Sequence, residues 1–596
     1  VHDMSYVERR SSETRKYILI LFAILCLVTS LITVLVAHLS WRGWMTGVRA
    51  LLRGEGLIKP FAKSSNSELQ PLVGDLRALL RTIDSERRIA DDVTSSWNPD
   101  ALRDLLYKQL AGEQILVVSN REPYIHMKGK DGIEIHRPAS GLVTAVEPVM
   151  RACSGIWIAH GGGTADYDVV DKKDHVRVPP EHPDYTLRRI WLSQEEEKGY
   201  YYGFANEGLW PLCHIAHVRP IFRTSDWQQY VAINQRFADA VIREAERDDP
   251  VVLVQDYHFA LLPEMLRKAM PKATIITFWH IPWPNPESFG ICPWREELLQ
   301  GMLGSTILGF HTPFHCKNFL ETVDRYLETR VEHASSTISH GGNLTLVEAY
   351  PISIQWPPPW QESQPCIADC RAYVRSTLNI QDHCLIGLGV DRLDYTKGIL
   401  ERLRAVECLL ENHPDMIGRF CFVQIAAPSR SVLEEYQAFD ARVRALASQI
   451  NLRFASPGYL PVQLKIEHHE PEEVNRYYRA ADVCMVTSLH DGMNLVAKEY
   501  VAARDDEEGV LVLSRFTGAA HELYEALIVN PYHIEQTADA LYQALTMPAF
   551  EQQARMRSMR SMVRDFNVYR WAARMLLDAA RIRQRGKLAN RIGMQL

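Results

Sequence analysis

The chain is predicted to be an α/β protein: two doubly wound parallel-sheet domains facing a central cleft, behind an apolar N-terminal segment. Three observations predict this. From Gln114 onward, short β-rich runs alternate with amphipathic helical stretches, the pattern of strands joined by crossover helices. That pattern runs for about 480 residues, too long for one such domain. A proline-rich stretch, Tyr350–Trp360 (YPISIQWPPPW), interrupts it. Three consecutive prolines end regular structure and stiffen a linker.

Composition narrows the function classes. The 596 residues carry 66 basic and 73 acidic side chains, a net charge of −7. Phosphate-backbone binding needs concentrated Lys and Arg, so nucleic acid is not the expected partner. The 11 cysteines are scattered, with only Cys366 and Cys370 close together and no CxxC. They read as small buried apolar residues in a reducing compartment, not as a disulfide framework or zinc site.

Taken in order, residues 1–16 form a tail. Residues 17–39, YILILFAILCLVTSLITVLVAHL, hold no Asp, Glu, Lys or Arg. As a helix they span ~34 Å, enough to cross a ~30 Å hydrocarbon core. A cleaved signal peptide would have a shorter apolar region and a small-residue cleavage site. Here Trp41 and Trp44 follow, suiting a retained anchor with an interfacial belt. Arg9, Arg10, Arg15 and Lys16 precede the span; Arg42, Arg49, Arg53 and Lys59 follow it. Flanking charge therefore leaves orientation open. Within 40–95, two stripes keep helical spacing: Trp41, Trp44, Met45, Val48, Leu51 and Leu52, then Leu69, Leu72, Val73, Leu76, Leu80 and Ile83. Helix, connector and helix after a membrane span is similar to a HAMP linker, which makes 41–88 a candidate homodimer contact. A plain helical stalk fits the same pattern.

The first α/β domain is assigned to 112–355 and the second to 356–565, with a helix and basic tail over 566–596. Strands are expected at Ile115–Ser119, Val251–Gln255, Thr274–Trp279, Leu385–Val390, Arg419–Ile425, Val483–Ser488 and Gly509–Leu513. Helices are expected at Gln228–Glu246, Trp294–Leu303, Ile399–Asn412 and Phe550–Arg585. Ligands of such domains bind at the carboxyl ends of the strands, and the distinctive residues fall there. Arg392 and Lys397 lie in GVDRLDYTKG after a strand, where two cations can neutralise a diphosphate. A solvated loop with an internal Asp–Arg pair is the plainer reading. HDGMNLVAKE (490–499) reads as strand exit, glycine turn and helix start, whose free N–H groups bind anions. An ordinary helix capped by Asp491 is the plainer reading there. SNRE (119–122), SGLV (140–143), DYH (256–258), HIPWP (280–284) and APSR (427–430) also sit at or near strand exits. A polar residue at every exit is hard to explain by packing alone.

Together these positions resemble the trehalose-6-phosphate synthase family, retaining glycosyltransferases with two Rossmann-like halves (GT-B). SNR, QDYH, HIPWP, RLDYTKG, DGMNLVAKEYVAA and VLVLSRFTGAAHEL occur in the family's order, over about residues 112–585. The resemblance implies a catalytic centre of Arg392, Lys397, Asp256 and His280. On the donor side it places Gly141, Arg392, Lys397, His280, Asp491, Met493, Asn494, Leu495, Val496 and Glu499. On the acceptor side it places Arg121, Tyr201, Trp210, Asp256 and Arg430, with Arg121 and Arg430 facing the acceptor phosphate. It implies transfer of glucose from a nucleoside diphosphate glucose, expected to be UDP-glucose, to glucose 6-phosphate. No cofactor and no metal are expected. Nucleotide-sugar substrates are cytosolic, so the catalytic part of this single-pass membrane protein is expected to face the cytoplasm.

Three positions depart from the family. His160 in IAHGGG replaces a tryptophan, His490 replaces an arginine, and Ser353 replaces a glycine. The first bears on the acceptor, so glucosylglycerol-phosphate synthesis is the alternative activity. A membrane sugar-phosphate sensor with a non-catalytic transferase domain is the alternative of another class.

Overall fold

The computed structural model describes Ser30 and residues 97–593, except 111–113, 131, 139–140 and 362. The predicted tail 1–16, membrane span 17–39 and juxtamembrane helices 40–95 lie outside the described residues, Ser30 aside. The described residues from 97 onward fall in one compact unit.

Its first half is built on strands β1 (Ile115–Arg121), β2 (Ile125–Lys128), β3 (Ile133–His136), β4 (Ile156–His160), β5 (His175–Val178) and β6 (Tyr185–Ile190). It continues through β7 (Val251–Gln255), β8 (Thr274–Phe278), β9 (Ile307–Phe310), β10 (Arg330–Glu332), β11 (Thr337–His340) and β12 (Asn343–Ala349). Ten of these form one sheet, in the order β10-β11-β12-β9-β8-β7-β1-β4-β6-β5, and β2 and β3 pair as a separate hairpin. Strands β12 to β6 in that order are parallel, while β5, β10 and β11 add antiparallel edges. The second half holds β13 (Leu385–Arg392), β14 (Phe420–Ala427), β15 (Val462–Lys465), β16 (Val483–Val486), β17 (Val510–Ser514) and β18 (Leu527–Val529). They form an all-parallel sheet ordered β15-β14-β13-β16-β17-β18.

Strand period explains the two apolar layers. Successive side chains point to opposite faces. In β1 and β7, Leu116, Val118, Val252 and Val254 join one buried cluster, while Ile115, Val117, Val251 and Leu253 join the other. Helices cover both faces, as all-parallel strands buried on two sides require.

The parallel core of each sheet reverses direction once. In the first, the chain leaves β1 towards β4 and β6, then returns to place β7 on the other side of β1. In the second, it leaves β13 towards β14 and β15, then returns to place β16 beside β13. The strand pairs β1/β7 and β13/β16 are therefore the switch points where ligands bind.

The C-terminal segment departs from the single stretch expected at Phe550–Arg585. Two helices, Ala549–Asp565 and Val568–Gly593, are separated at Phe566–Asn567. Asn567 starts the second by accepting from the N–H groups of Tyr569 (3.0 Å) and Arg570 (3.2 Å). This last helix then packs on the first half. Trp571 meets Phe278 of β8 edge-on at 5.2 Å, Asp578 accepts from the Tyr350 hydroxyl (2.9 Å), and Arg583 pairs with Asp249 at 2.7 Å. The helix Pro99–Leu110 lies beside it, burying Leu102, Leu105, Leu106 and Leu110, and Asn567 Nδ2 donates to the Trp97 carbonyl (2.9 Å). Both ends of the described chain thus fasten the same face. Trp571→Ala is expected to cost about 3–5 kcal/mol, read as a lower midpoint in thermal unfolding; an unchanged midpoint would show that this helix does not hold the halves together.

Candidate active site

The strands flanking the two switch points deliver the site. Arg121 ends β1, Asp256 follows β7, Arg392 ends β13, and Asp491 lies a short turn beyond β16. Arg430 follows β14, next to β13, and His280 follows β8, next to β7. The order of strands therefore brings together residues from distant motifs.

Lys397 and Asp491 form a pair at 2.5 Å. The same Asp491 oxygen, Oδ2, accepts from Ser488 Oγ (3.2 Å) and Asn494 Nδ2 (3.2 Å). Burial raises the Asp491 pKa, but Lys397 outweighs it and holds the carboxyl below its ordinary value. Oδ1 of Asp491 accepts no hydrogen bond among the described residues and is free for a hydroxyl. Asp491 is not the helix cap. The helix Leu495–Ala503 is capped by Asn494, whose side chain accepts from the Ala497 N–H (3.4 Å). The amides of Leu495 and Val496 stand at its open N-terminus, where partial positive charge gathers. A Cβ on Gly141 would lie 3.2 Å from Leu495, so that glycine lets the first half close on this helix start. Glu499 is buried further along the helix and accepts from the Tyr478 hydroxyl (3.0 Å); burial raises its pKa. Met493 is buried beneath the turn. Gly492 admits no side chain: a Cβ there would lie 2.3 Å from the His280 carbonyl oxygen.

Four cations ring the cleft. Arg392 makes no hydrogen bond or ion pair among the described residues; its guanidinium lies 5.4 Å from the Trp210 ring. Arg430 lies over the same ring at 4.0 Å. It is held by Asp394 (3.0 Å) and the Tyr436 hydroxyl (2.5 Å). Trp210 is itself buried, so it serves as the platform for two guanidiniums. Asp394 is fully buried, yet Arg430 and Arg392 overcome the burial and bring its carboxyl down to about 2. Burial drives the Tyr201 phenol up, but Arg430 and Arg121, which also hydrogen-bonds it, reverse that and bring it below the usual phenol range. The plainer reading of the RLDYTKG segment fails here. It is buried, and Asp391 pairs with Arg402 at 2.6 Å, not with Arg392.

Asp256 takes a backbone conformation (φ 77°, ψ 169°) that is nearly glycine-only. Its carboxylate accepts from the N–H groups of Tyr257 (2.9 Å) and His280 (3.3 Å). Burial raises it to about 7 against those bonds and the nearby guanidiniums of Arg392 and Arg430. Arg430 (φ 47°) and Asn494 (φ 76°) are also left-handed, so three residues of the site sit in strained backbone. His280 Nε2 donates to Gln255 Oε1 (2.8 Å), which leaves Nδ1 bare, and burial keeps the ring neutral.

Tyr201 rides on the feature least visible in the sequence. Lys198–Leu209 is wound as a π-helix, a rare form associated with functional sites. The Tyr201 ring stacks on His258 at 5.6 Å. Asp394, Tyr436, Gln255 and Tyr478 escaped the sequence reading. Asp394 and Gln255 lie inside RLDYTKG and QDYH; Tyr436 and Tyr478 carry no such signal. Of the departures, His160 donates from Nδ1 to the Ile190 carbonyl (3.1 Å). His490 stacks on Phe516 at 5.4 Å, and Ser353 is buried with its hydroxyl unpaired. Among the described residues, no group of His, Cys, Asp and Glu is arranged to hold a metal ion.

The family model for glycosyltransferase family 20 matches residues 113–581. Trehalose-6-phosphate synthase of Mycolicibacterium vanbaalenii is 41% identical over 478 residues, covering 78% of this chain and 96% of that protein. Among solved structures, a UDP-forming α,α-trehalose-phosphate synthase from Burkholderia xenovorans, in complex with glucose-6-phosphate, matches with a TM-score of 0.68 and 33% identity. It covers 78% of this chain and 100% of that one. An E. coli trehalose-6-phosphate structure bound with UDP-2-fluoro glucose matches with a TM-score of 0.68 and 32% identity, covering 78% of this chain and 99% of that one.

Proposed function

The chain belongs to glycosyltransferase family 20, and from that premise we propose how its cleft moves glucose from UDP-glucose to glucose 6-phosphate, giving α,α-trehalose 6-phosphate and UDP with retention. The observation that carries the reading is the clustering of cations in the cleft. Lys397 pairs with Asp491 beside the helix start capped by Asn494, while Arg392 and Arg430 share the Trp210 ring and Arg121 hydrogen-bonds Tyr201.

As the glycosidic bond breaks, negative charge builds on the β-phosphate. Arg392, Lys397 and the amides of Leu495 and Val496 stabilise it without moving, because the fold has already fixed them. Glu499 takes the ribose. Asp491, through its free oxygen, with His280, Met493 and Asn494, holds the glucose. Arg121, Arg430 and Tyr201 hold the acceptor phosphate, and Asp256 accepts from an acceptor hydroxyl. The attacking hydroxyl enters on the face the diphosphate leaves, and the departing phosphate takes its proton. No nucleophilic carboxylate is needed.

The test is release of nucleoside diphosphate by the purified chain from UDP-, GDP- and ADP-glucose, with EDTA present. Glucose 6-phosphate and glycerol 3-phosphate are compared as acceptors. Release with UDP-glucose and glucose 6-phosphate is expected, and Arg392→Ala should lower kcat by about 10²–10³-fold. Release with glycerol 3-phosphate alone would mean that His160 re-specifies the acceptor. Silence from folded protein in every pairing would favour the sensor reading.

Asp256 sets a pH dependence. It must be ionised to accept, and its carboxyl is raised to about 7, so kcat/KM should climb as pH rises through about 7 and level off above. Asp256→Asn should remove that acidic limb from whatever activity remains; an unchanged limb would assign it to another group.

We also propose that residues 17–39 anchor the protein with the catalytic unit in the cytoplasm, and that two copies meet through 41–88. The uncharged run and the two apolar stripes support this. Protease added to intact spheroplasts should spare the catalytic unit, and digest it after lysis. Cleavage in intact spheroplasts would reverse the orientation.

A further inference from the structure

Asn206 is 1% exposed and lies inside the first half, on the Lys198–Leu209 helix and bonded to the turn after β7. Both ends of its amide are used. Nδ2 donates to the Tyr201 carbonyl (2.8 Å), five residues back, the step of the π-winding itself. Oδ1 accepts from the Tyr257 hydroxyl (2.8 Å). The Tyr257 oxygen in turn accepts from Arg430 Nη2 (3.3 Å). Direction is fixed at each link. A guanidinium only donates and a backbone carbonyl only accepts, so the phenol proton goes to Asn206 and its amide has one satisfactory orientation. The chain of bonds starts in the second half, at a guanidinium already gripped by Asp394 and Tyr436. It ends in the first half, on the backbone that carries Tyr201.

We propose that Asn206 is a positioning residue for the acceptor side: it ties the Tyr201 backbone to the Arg430 guanidinium, so the spacing of these two groups is set only when the halves are closed on each other. The proposal rests on Tyr201 and Arg430 binding the acceptor phosphate, as read above. Asn206 reaches neither substrate; it acts through Tyr201. A residue that merely filled the core would, when altered, lower stability and weaken both substrates alike. A residue that sets the acceptor side alone would separate them.

The experiment uses the full chain with Asn206→Asp, Asn206→Leu and Tyr257→Phe. Aspartate keeps the acceptor for Tyr257 but gives the Tyr201 carbonyl no proton. Leucine removes both bonds at similar volume. Phenylalanine cuts the middle link and keeps the ring. Each should raise KM for glucose 6-phosphate about ten-fold. KM for UDP-glucose, and the affinity for UDP measured by calorimetry, should shift by less than about two-fold. The Asn206→Asp/Tyr257→Phe double variant should be no worse than the worse single, since both act on one chain of bonds. Equal rises in both KM values, or effects that multiply in the double variant, would overturn the proposal. If Asn206→Leu does not fold, the other two variants decide. Silence of the unaltered chain with glucose 6-phosphate would overturn the acceptor reading and the proposal with it. An active unaltered chain with unchanged variants would overturn the proposal alone.

Discussion

The structure depends on one electrostatic constraint: several cations must be kept close together, largely out of water, before any anion arrives. Like charges at such distances repel, and burial strips their hydration. The protein meets the constraint by unequal pairing. Arg430 is gripped by Asp394 and Tyr436 and laid over Trp210. Lys397 is paired with Asp491. Arg392 has a ring face and no ion pair among the described residues. The unpaired charge is thus concentrated where a diphosphate would arrive, and the paired charges fix the frame around it. Trp210 makes this economical, since one indole ring steadies two guanidiniums.

That arrangement also joins the halves. Trp210 and Tyr257 belong to the first, Arg392 and Arg430 to the second. The cation–ring contact at 4.0 Å and the Gly141–Leu495 approach both lie across the cleft, while the C-terminal helix, which follows the second half in the chain, packs back on the first half through Trp571 and Asp578. One fastening carries chemistry and the other does not. Backbone strain follows the same division. Asp256, Arg430 and Asn494, all left-handed without being glycine, lie in the cleft, where side-chain direction matters more than backbone ease.

Much of this was legible in the sequence because strand exits announce themselves. Val251–Gln255 and Ile399–Asn412 are read from periodicity with the bounds the structure gives, since a buried parallel strand is a short apolar run and an amphipathic helix repeats every 3–4 residues. The π-helix was not legible. Its period of more than four residues per turn has no stripe that ordinary helical spacing detects, and its aromatic and glycine residues suit several conformations. The break at Asn567 was hidden because helical periodicity continues on both sides of it; only the cap, a short-range contact, marks the boundary. The plainer alternative, Asp491 as a helix cap, fails because Asn494, closer to the helix, takes that role and leaves Asp491 to Lys397. Local spacing finds the loop, but the long-range ion pair decides what each acid in it does.

The two histidine replacements bear unequally on this electrostatic frame. At His490 a permanent cation would be expected from the family pattern. The imidazole is instead stacked on Phe516 and driven neutral by burial, so that edge of the cleft contributes no charge. On the proposed reading, Arg392 and Lys397 then supply the side-chain cations on the donor side, and the helix N-terminus at Leu495 supplies the rest. A helix end carries only about half an elementary charge, so the site has little redundancy on that side. At His160 the ring is turned by its bond to the Ile190 carbonyl. What changes there is shape and polarity: an imidazole stands beside Gly161, Gly162 and Gly163 where the family has an indole. The donor side therefore differs from the family in charge and the acceptor side in contour. On the proposed reading, Tyr201, Arg121 and Arg430 remain to recognise a phosphate, so the departure at His160 bears on what the phosphate is attached to.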